Sequence, residues 1–125
     1  MKRCSFALLL LVMAPALQAE PAVLPQTSQY SQKQLLKNWA LSRCLGEVSG
    51  NEAVAADANR SAAGYFEFSS VPVDGFEKLS ALVGKYAGAH YRGSMEGSFH
   101  TMQCIDLFHS AELERLVTRM VPKRR

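Results

Sequence analysis

The stretch Ser31–Cys44, with the sequence SQKQLLKNWALSRC, has the apolar spacing of an amphipathic helix. Its apolar residues recur at intervals of three and four positions, the period of one helix face. These residues are Leu35, Leu36, Trp39, Ala40 and Cys44. Ser31 is a residue type that caps helix starts, and the segment 46–51 interrupts or ends the helix. The stretch therefore predicts a first helix whose buried face includes a cysteine.

Two more helices are predicted in the middle of the chain. The second covers about 51–66, with Asp57 as an alternative start, because its many alanines favour helix and permit close packing. The third covers 74–87, and Asp74 and Glu77 have capping-box spacing at its start. The apolar stripe of the third helix comprises Phe76, Leu79, Val83 and either Tyr86 or Ala87.

Two shorter helices are predicted at the C-terminal end. The fourth covers 99–108, and the residues expected to be buried are Phe99, Met102, Ile105 and Phe108. The fifth begins after Ser110 as N-cap, has Glu112 in its first turn and stops at Pro122. Its stripe comprises Leu113, Leu116, Val117 and Met120. The predicted fold class is all-α: a small bundle of about five helices.

Residues 1–19 have the pattern of a cleavable signal peptide. Lys2 and Arg3 precede an apolar run at 6–13, and small residues lie near Ala16 and Ala19. Cleavage after Ala19 is preferred, and cleavage after Ala16 remains open. The apolar run is shorter than the roughly 20 residues that span a bilayer, so no stable membrane anchor is expected. This pattern predicts export to the periplasm, and an extended leader is predicted at 20–30.

The cysteine count supports export and predicts one disulfide. Of the three cysteines, Cys4 lies in the signal peptide, so the mature chain keeps Cys44 and Cys104. An even pair in an exported domain predicts a disulfide, although the sequence does not prove that the two are bonded. The bond would join the first helix to the fourth across 60 residues, and a single helical domain is expected at 31–121.

The charge balance gives no support for nucleic-acid binding. The net charge is +3, and it falls to +1 when Lys2 and Arg3 are removed with the signal peptide. Three of the twelve remaining basic residues lie in the basic tail 122–125, which we interpret as a solvated end and which leaves the folded body slightly acidic. Nucleic-acid binding normally requires a basic face on the folded body, so no nucleic-acid partner is expected.

No catalytic or metal site is predicted. His109 and Ser110 are adjacent, but neighbouring residues at a helix start point apart and Ser110 serves as an N-cap. His100, Cys104 and His109 are metal-ligating types, yet His109 lies on the far side of the helix and a bonded Cys104 is not a ligand. No cofactor is expected either.

Asp106 lies in an apolar stretch, where a charge is usually paired. We interpret it as a structural partner of a helix N-terminus or of Arg43. Trp39 lies on an apolar stripe and is assigned to the core.

The segment Gly88–Ser98 is a loop of eleven residues with three glycines and no apolar period. That length is unusual for a connection in a small domain, and it predicts either a mobile connector or a binding loop on a rigid scaffold. Tyr91, Arg92 and Met95 are residue types enriched in interfaces. The candidate binding residues are His90, Tyr91, Arg92, Gly93, Ser94, Met95 and Glu96.

Four segments together resemble the type VI secretion amidase immunity proteins. They are NWALSRC at 38–44, SAAGY at 61–65, MQCIDLFHS at 102–110 and Glu112-Leu113. The resemblance extends over about residues 31–121, nearly the whole mature chain.

The resemblance implies a small, all-helical periplasmic protein, often a homodimer, that blocks a peptidoglycan amidase injected by a neighbouring bacterium. Such amidases are cysteine peptidases, and in the family a protruding loop enters the catalytic groove. By position, Gly88–Ser98 is the equivalent loop here, and Cys104 and Asp106 match a Cys-Ile-Asp motif as structural positions. The expected partner is therefore a cognate amidase effector.

Two alternative functions remain open from the sequence. A periplasmic small-ligand-binding or envelope-assembly module would have a pocket lined by Trp39, Tyr65 and Phe68. An enzyme of cell-wall metabolism would need Cys104 to be reduced and reactive.

Overall fold

The computed structural model describes residues 26–123. The predicted signal peptide at 1–19, the first part of the leader and the last two residues of the basic tail lie outside the described residues. Within 26–123 the fold consists of five α-helices, which confirms the all-α prediction. The helices are α1 (Gln32–Val48), α2 (Glu52–Glu67), α3 (Val73–Ala87), α4 (His100–His109) and α5 (Ala111–Met120).

Helix α1 is the centre of the bundle and contacts each of the other four helices. Its start is fixed by a capping box, in which the Gln34 amide donates to Ser31 Oγ at 3.3 Å. In return, the Ser31 amide donates to Gln34 Oε1 at 2.9 Å. Every apolar residue that the helical period assigned to its inner face is buried. The spacing of the sequence therefore gave both the helix and its orientation.

The starts of α2 and α3 differ in how well the sequence predicted them. The Val54 amide donates to Asn51 Oδ1 at 3.1 Å, so α2 begins after Asn51 and not at Asp57. The capping box predicted at Asp74 and Glu77 is wrong, because α3 begins at Val73 with Pro72 in the N-cap position. Asp74 instead lies in the first turn, where its charge faces the positive end of the helix dipole.

The buried face of α4 differs from the prediction. Gln103, Cys104 and Leu107 are buried, whereas Met102 is 51% exposed and Ile105 48% exposed. Successive helical residues are about 100° apart, so turning Cys104 and Leu107 toward α1 turns Met102 and Ile105 to solvent. The predicted burial of Met102 and Ile105 is therefore wrong.

The Cys44–Cys104 disulfide is present and joins α1 to α4 across 60 residues of sequence. Both cysteines are buried within the single core cluster that all five helices share. The rings of Trp39 and Phe76 meet edge to face at 5.0 Å between centroids, which places Trp39 in the core as expected. Since the bond is internal to the core, it holds α4 on α1 without using surface residues.

The last residues of the predicted leader are not extended. Gln26–Gln29 forms one 3₁₀ turn, and Thr27 within it is buried. The Tyr30 amide donates to the Thr27 carbonyl at 3.3 Å, and the Tyr30 ring packs at 6.3 Å from Tyr65. This packing against α2 stabilises a turn where the prolines and small polar residues had predicted an open chain.

Three ion pairs, made by two glutamates of α5, connect this helix to its neighbours. Glu114 binds Lys33 and Lys37 of α1, and the hydrogen bond from Lys33 lowers the pKa of the Glu114 carboxyl. Glu112 binds Lys85 of α3 at 2.7 Å, and this hydrogen bond raises the pKa of the Lys85 ammonium. None of the helices within 26–123 combines the length and apolarity that a membrane span needs.

We expect the double variant Cys44→Ala/Cys104→Ala to unfold more easily than the wild type. A loop of 60 residues is then no longer closed in the unfolded chain, and the chain-entropy model gives a loss of about 4 kcal/mol in the free energy of unfolding. Urea-induced unfolding followed by circular dichroism measures this loss. Reducing agent should destabilise the wild type similarly and leave the double variant unchanged; a loss below about 1 kcal/mol would contradict the role given to the bond.

Candidate functional site

The loop Gly88–Ser98 leaves the bundle at the end of α3 and returns at the start of α4. The Gly88 amide donates to the Gly84 carbonyl at 2.9 Å, and the Ala89 amide donates to the Tyr86 carbonyl at 3.1 Å, which ends α3. No regular secondary structure occurs between Ala89 and Phe99, as the absence of an apolar period predicted. The loop therefore begins and ends on fixed helices.

Three contacts hold the first half of the loop on α4. The Gln103 side-chain amide donates to the Ala89 carbonyl. The Tyr91 hydroxyl donates to Asp106 Oδ2 at 2.8 Å. Gly93 lies against the ring of Phe99, so closely that a Cβ on Gly93 would be 2.6 Å from Phe99 Cζ. A larger residue at Gly93 would displace the ring, so glycine is required for this approach.

These contacts involve alternate loop residues. Ala89 and Tyr91 are half-buried, whereas His90 and Arg92 between and after them are exposed. Residues 92–97, which we call the loop tip, are all exposed, and Met95 is 72% exposed. Gly97 has φ of +130°, a backbone conformation that favours glycine. The loop thus has an anchored base and a tip that projects into solvent.

The electrostatics of the loop are simple. Its hydrogen bond to Asp106 raises the pKa of the Tyr91 hydroxyl, so Tyr91 remains protonated and donates throughout the neutral pH range. The tip carries one positive charge at Arg92 and one negative charge at Glu96. A tip of this kind combines an exposed apolar side chain with two charges of opposite sign.

An apolar surface continues from the loop onto α4. An open groove of about 620 Å³ is lined by Phe99, Met102 and Ile105 together with Ser98, His100 and Thr101. Phe99 also borders the concave side of the loop tip, so one ring is shared by both surfaces. The two residues that the helical period had wrongly assigned to the core therefore flank the loop.

Asp106 does not have the partner that the sequence suggested. It binds Tyr91 of the loop, while Arg43 donates to Asn59 Oδ1 at 2.7 Å and pairs with Glu47. The sequence identified Tyr91 and Asp106 as separate residues of interest but did not pair them. The role of Gln103 was not predicted from the sequence. The one signal for it is that this polar residue stands beside Cys104 on a buried helix face.

The other chemically capable side chains have structural roles. Ser110 Oγ accepts from the Leu113 amide at 3.0 Å and donates to the Leu107 carbonyl at 2.8 Å, which makes it the cap of α5. His100 Nδ1 lies 2.9 Å from the Val48 carbonyl, and Cys104 is in the disulfide. Within 26–123, no group of three or more His, Cys, Asp or Glu side chains is arranged to hold a metal ion.

The residues proposed for a small-ligand pocket have separate neighbours. Trp39 packs on Phe76 in the core, Tyr65 packs on Tyr30, and Phe68 is about half exposed at the end of α2. Their arrangement gives no support to the ligand-binding alternative. The disulfide likewise removes the reduced cysteine that the enzyme alternative needs.

Comparison with known proteins agrees with the resemblance seen in the sequence. A family model described as type VI secretion system (T6SS), amidase immunity protein (Tai4) matches residues 34–117. No curated protein sequence matches the chain significantly.

Several solved structures are similar over most of the chain. One chain of the effector–immunity system Tae4/Tai4 from Salmonella typhimurium has 42% identity and a TM-score of 0.76, covering 81% of this chain and 100% of that one. A structure described as new type VI-secreted toxins and self-resistance proteins in Serratia marcescens has 30% identity and a TM-score of 0.75, covering 85% and 89%. A chain of the Tae4–Tai4 complex from Enterobacter cloacae has 28% identity and a TM-score of 0.68, covering 78% and 99%.

Proposed function

Since this chain belongs to the type VI secretion system amidase immunity protein family, we propose that it neutralises a cognate peptidoglycan amidase by inserting the loop Gly88–Ser98 into the catalytic groove. The family is one of immunity proteins, so the function is binding and not catalysis. The observation that supports the loop as the inhibitory element is its construction, with a base fixed on α4 and an exposed tip.

Inhibition by occlusion requires shape and rigidity, and it requires no chemistry from the inhibitor. A loop that is already ordered loses little conformational entropy when it binds, which favours high affinity. The glycines at 93 and 97 keep the tip narrow enough for a groove, and Met95 and Arg92 are side chains suited to anchor it. The apolar face of α4 at Met102 and Ile105 would add contact area beside the groove.

The chemistry of the groove sets what the tip must do. The amidases of the family resemblance are cysteine peptidases that cut stem peptides, so their grooves accept an extended peptide backbone. A narrow loop with an open backbone at Gly93–Gly97 offers the same kind of surface and competes for the same space. We therefore expect competitive inhibition, in which excess substrate weakens the apparent affinity of the inhibitor.

We also propose that the protein forms a homodimer through α2. This helix packs chiefly on α1, and only Ala62 among its sixteen residues is buried. Ala53, Ala56, Arg60 and Ala63 are exposed at spacings of three and four, so they share one outward face. Small residues let two helices approach closely, and a twofold axis would bring the same face of a second copy onto this one.

We propose export to the periplasm by the signal peptide at 1–19. The basic start, apolar run and small residues before Glu20 support this proposal, as does the disulfide between Cys44 and Cys104. Such bonds persist in oxidising compartments such as the bacterial periplasm.

We expect the double variant Arg92→Ala/Met95→Ala of residues 20–125 to inhibit the cognate amidase at least about tenfold less strongly, because it removes two anchors from a binding tip. Peptidoglycan hydrolysis at increasing inhibitor concentration measures the effect, with the amidase encoded in the same genome. The control Arg115→Ala/Val73→Ala truncates one arginine and one apolar side chain on exposed parts of α5 and α3, and it should inhibit like the wild type. Equal inhibition by the tip variant and the wild type would exclude the loop as the inhibitory element.

The variant Ala56→Arg/Ala63→Arg should be monomeric, because with Arg60 on the same face the twofold axis would bring only like charges together across α2. Light scattering after size-exclusion chromatography gives the mass of the wild type and the variant. The control Ser80→Arg places a positive charge at an exposed position of α3 and should leave the dimer intact. A wild type with the mass of one chain at micromolar concentration would disprove the dimer.

The protein recovered from the periplasmic fraction should begin at Glu20, or at Leu17 if cleavage follows Ala16. Intact-mass spectrometry identifies the first residue and also detects the loss of two hydrogen atoms that accompanies disulfide formation. Recovery of uncleaved chain from the cytoplasm would contradict export.

A further inference from the structure

The hydrogen bond between Tyr91 and Asp106 lies where the loop base meets the loop tip. Tyr91 directly precedes residues 92–97, and its hydroxyl donates to Asp106 Oδ2 at 2.8 Å. Asp106 is two residues after Cys104, which the disulfide fixes on α1. The bond therefore connects the start of the tip to a backbone position that is tied into the core.

We propose that Asp106 is a positioning residue for amidase binding: acting through the Tyr91 hydroxyl, it holds the loop in the conformation that enters the groove. This inference rests on the proposed function of the loop. It also changes the role that the sequence suggested for Tyr91, because its hydroxyl is directed toward α4 and is engaged there. The residues left to contact the amidase are the outward ones, His90 and those of the tip.

Two neighbouring contacts, on either side of Tyr91, also hold the loop. Gln103 holds Ala89 and Phe99 packs on Gly93, so three alternate loop positions meet α4 or its first cap residue. The Ala89 carbonyl accepts a hydrogen bond from the Gln103 side chain, which is only 1% exposed. Gly93 is held by packing alone. The middle contact is that of Tyr91. It joins two side chains at the surface, so either one can be substituted without disturbing the core.

The physical reason is preorganisation. A hydrogen bond to a carboxylate is stronger than one between neutral groups, and it restricts both the tyrosine ring and the backbone that carries it. The rise in the pKa of Tyr91 has the same cause, the bond to Asp106. If the bond is removed, the loop spends less time in its binding conformation. The apparent affinity then falls in proportion to the population of that conformation.

The experiment compares Tyr91→Phe, Asp106→Ala and the double variant in binding to the cognate amidase by surface plasmon resonance. Each single variant should bind about five- to twentyfold more weakly, chiefly through slower association, and the double variant no more weakly than the weaker single. The NMR order parameters of the backbone amides at residues 92–97 of the free protein should be lower in all three variants, and urea unfolding should remain a single cooperative transition. Asp106→Asn should recover part of the affinity lost in Asp106→Ala, since its amide oxygen can accept from the phenol but forms a weaker, neutral hydrogen bond.

The matched control is Tyr65→Phe, which removes a phenolic hydroxyl from α2, outside the loop and its contacts; it should bind like the wild type. Tyr91→Phe with wild-type affinity would overturn the proposal. So would additive losses in the double variant, which would mean that Tyr91 and Asp106 act independently. Weaker binding with unchanged order parameters at 92–97 would also overturn it, because the hydroxyl would then contact the amidase itself.

Failure of this proposal is distinguishable from failure of the loop as the inhibitory element. If Arg92→Ala/Met95→Ala weakens binding and Tyr91→Phe does not, the loop binds the amidase but Asp106 does not position it. If the tip variant and Tyr91→Phe both bind like the wild type, the interface lies elsewhere.

Discussion

The bond between Cys44 and Cys104 fixes α4 on the central helix, and the candidate site is built on α4. A helix of ten residues has little stability of its own in water, so its position depends on tertiary contacts. The covalent link, together with the burial of Leu107, supplies that position. Gln103 and Asp106 flank Cys104 on the same helix, and both bind the loop. Order in an eleven-residue loop thus originates in a cross-link buried beneath it.

The distribution of polar side chains suits a protein that acts by binding. The hydroxyl of Ser110 caps a helix, the imidazole of His100 lies against a backbone carbonyl, and the carboxylates of Glu112 and Glu114 pair with lysines. Groups that could serve catalysis in another setting are here used to join helices. The loop tip, by contrast, is left exposed, with Met95 projecting from it. In an inhibitor of this kind, the polar groups stabilise the shape of the protein.

Local sequence patterns were sufficient for most of the fold. The apolar period of α1, the Ser31 and Ser110 caps and the irregular loop at 88–98 each depend on residues close together in the chain, and each was predicted. The inner face of α4 was not, because a spacing of three residues fitted Phe99, Met102 and Ile105 as well as any other stripe. The disulfide and Leu107 decide the rotation of that helix, and this is a tertiary constraint. The bond between Tyr91 and Asp106 crosses fifteen residues without a periodic signal, so only the structure could pair them.

The central claim is that the loop tip occupies the catalytic groove of the amidase. A crystal structure of residues 20–125 bound to the cognate amidase tests it most directly. We predict that residues 92–97 lie in the groove, within contact distance of the catalytic cysteine, with the Tyr91–Asp106 bond intact. A complex in which residues 92–97 remain exposed to solvent and another surface covers the groove would contradict it.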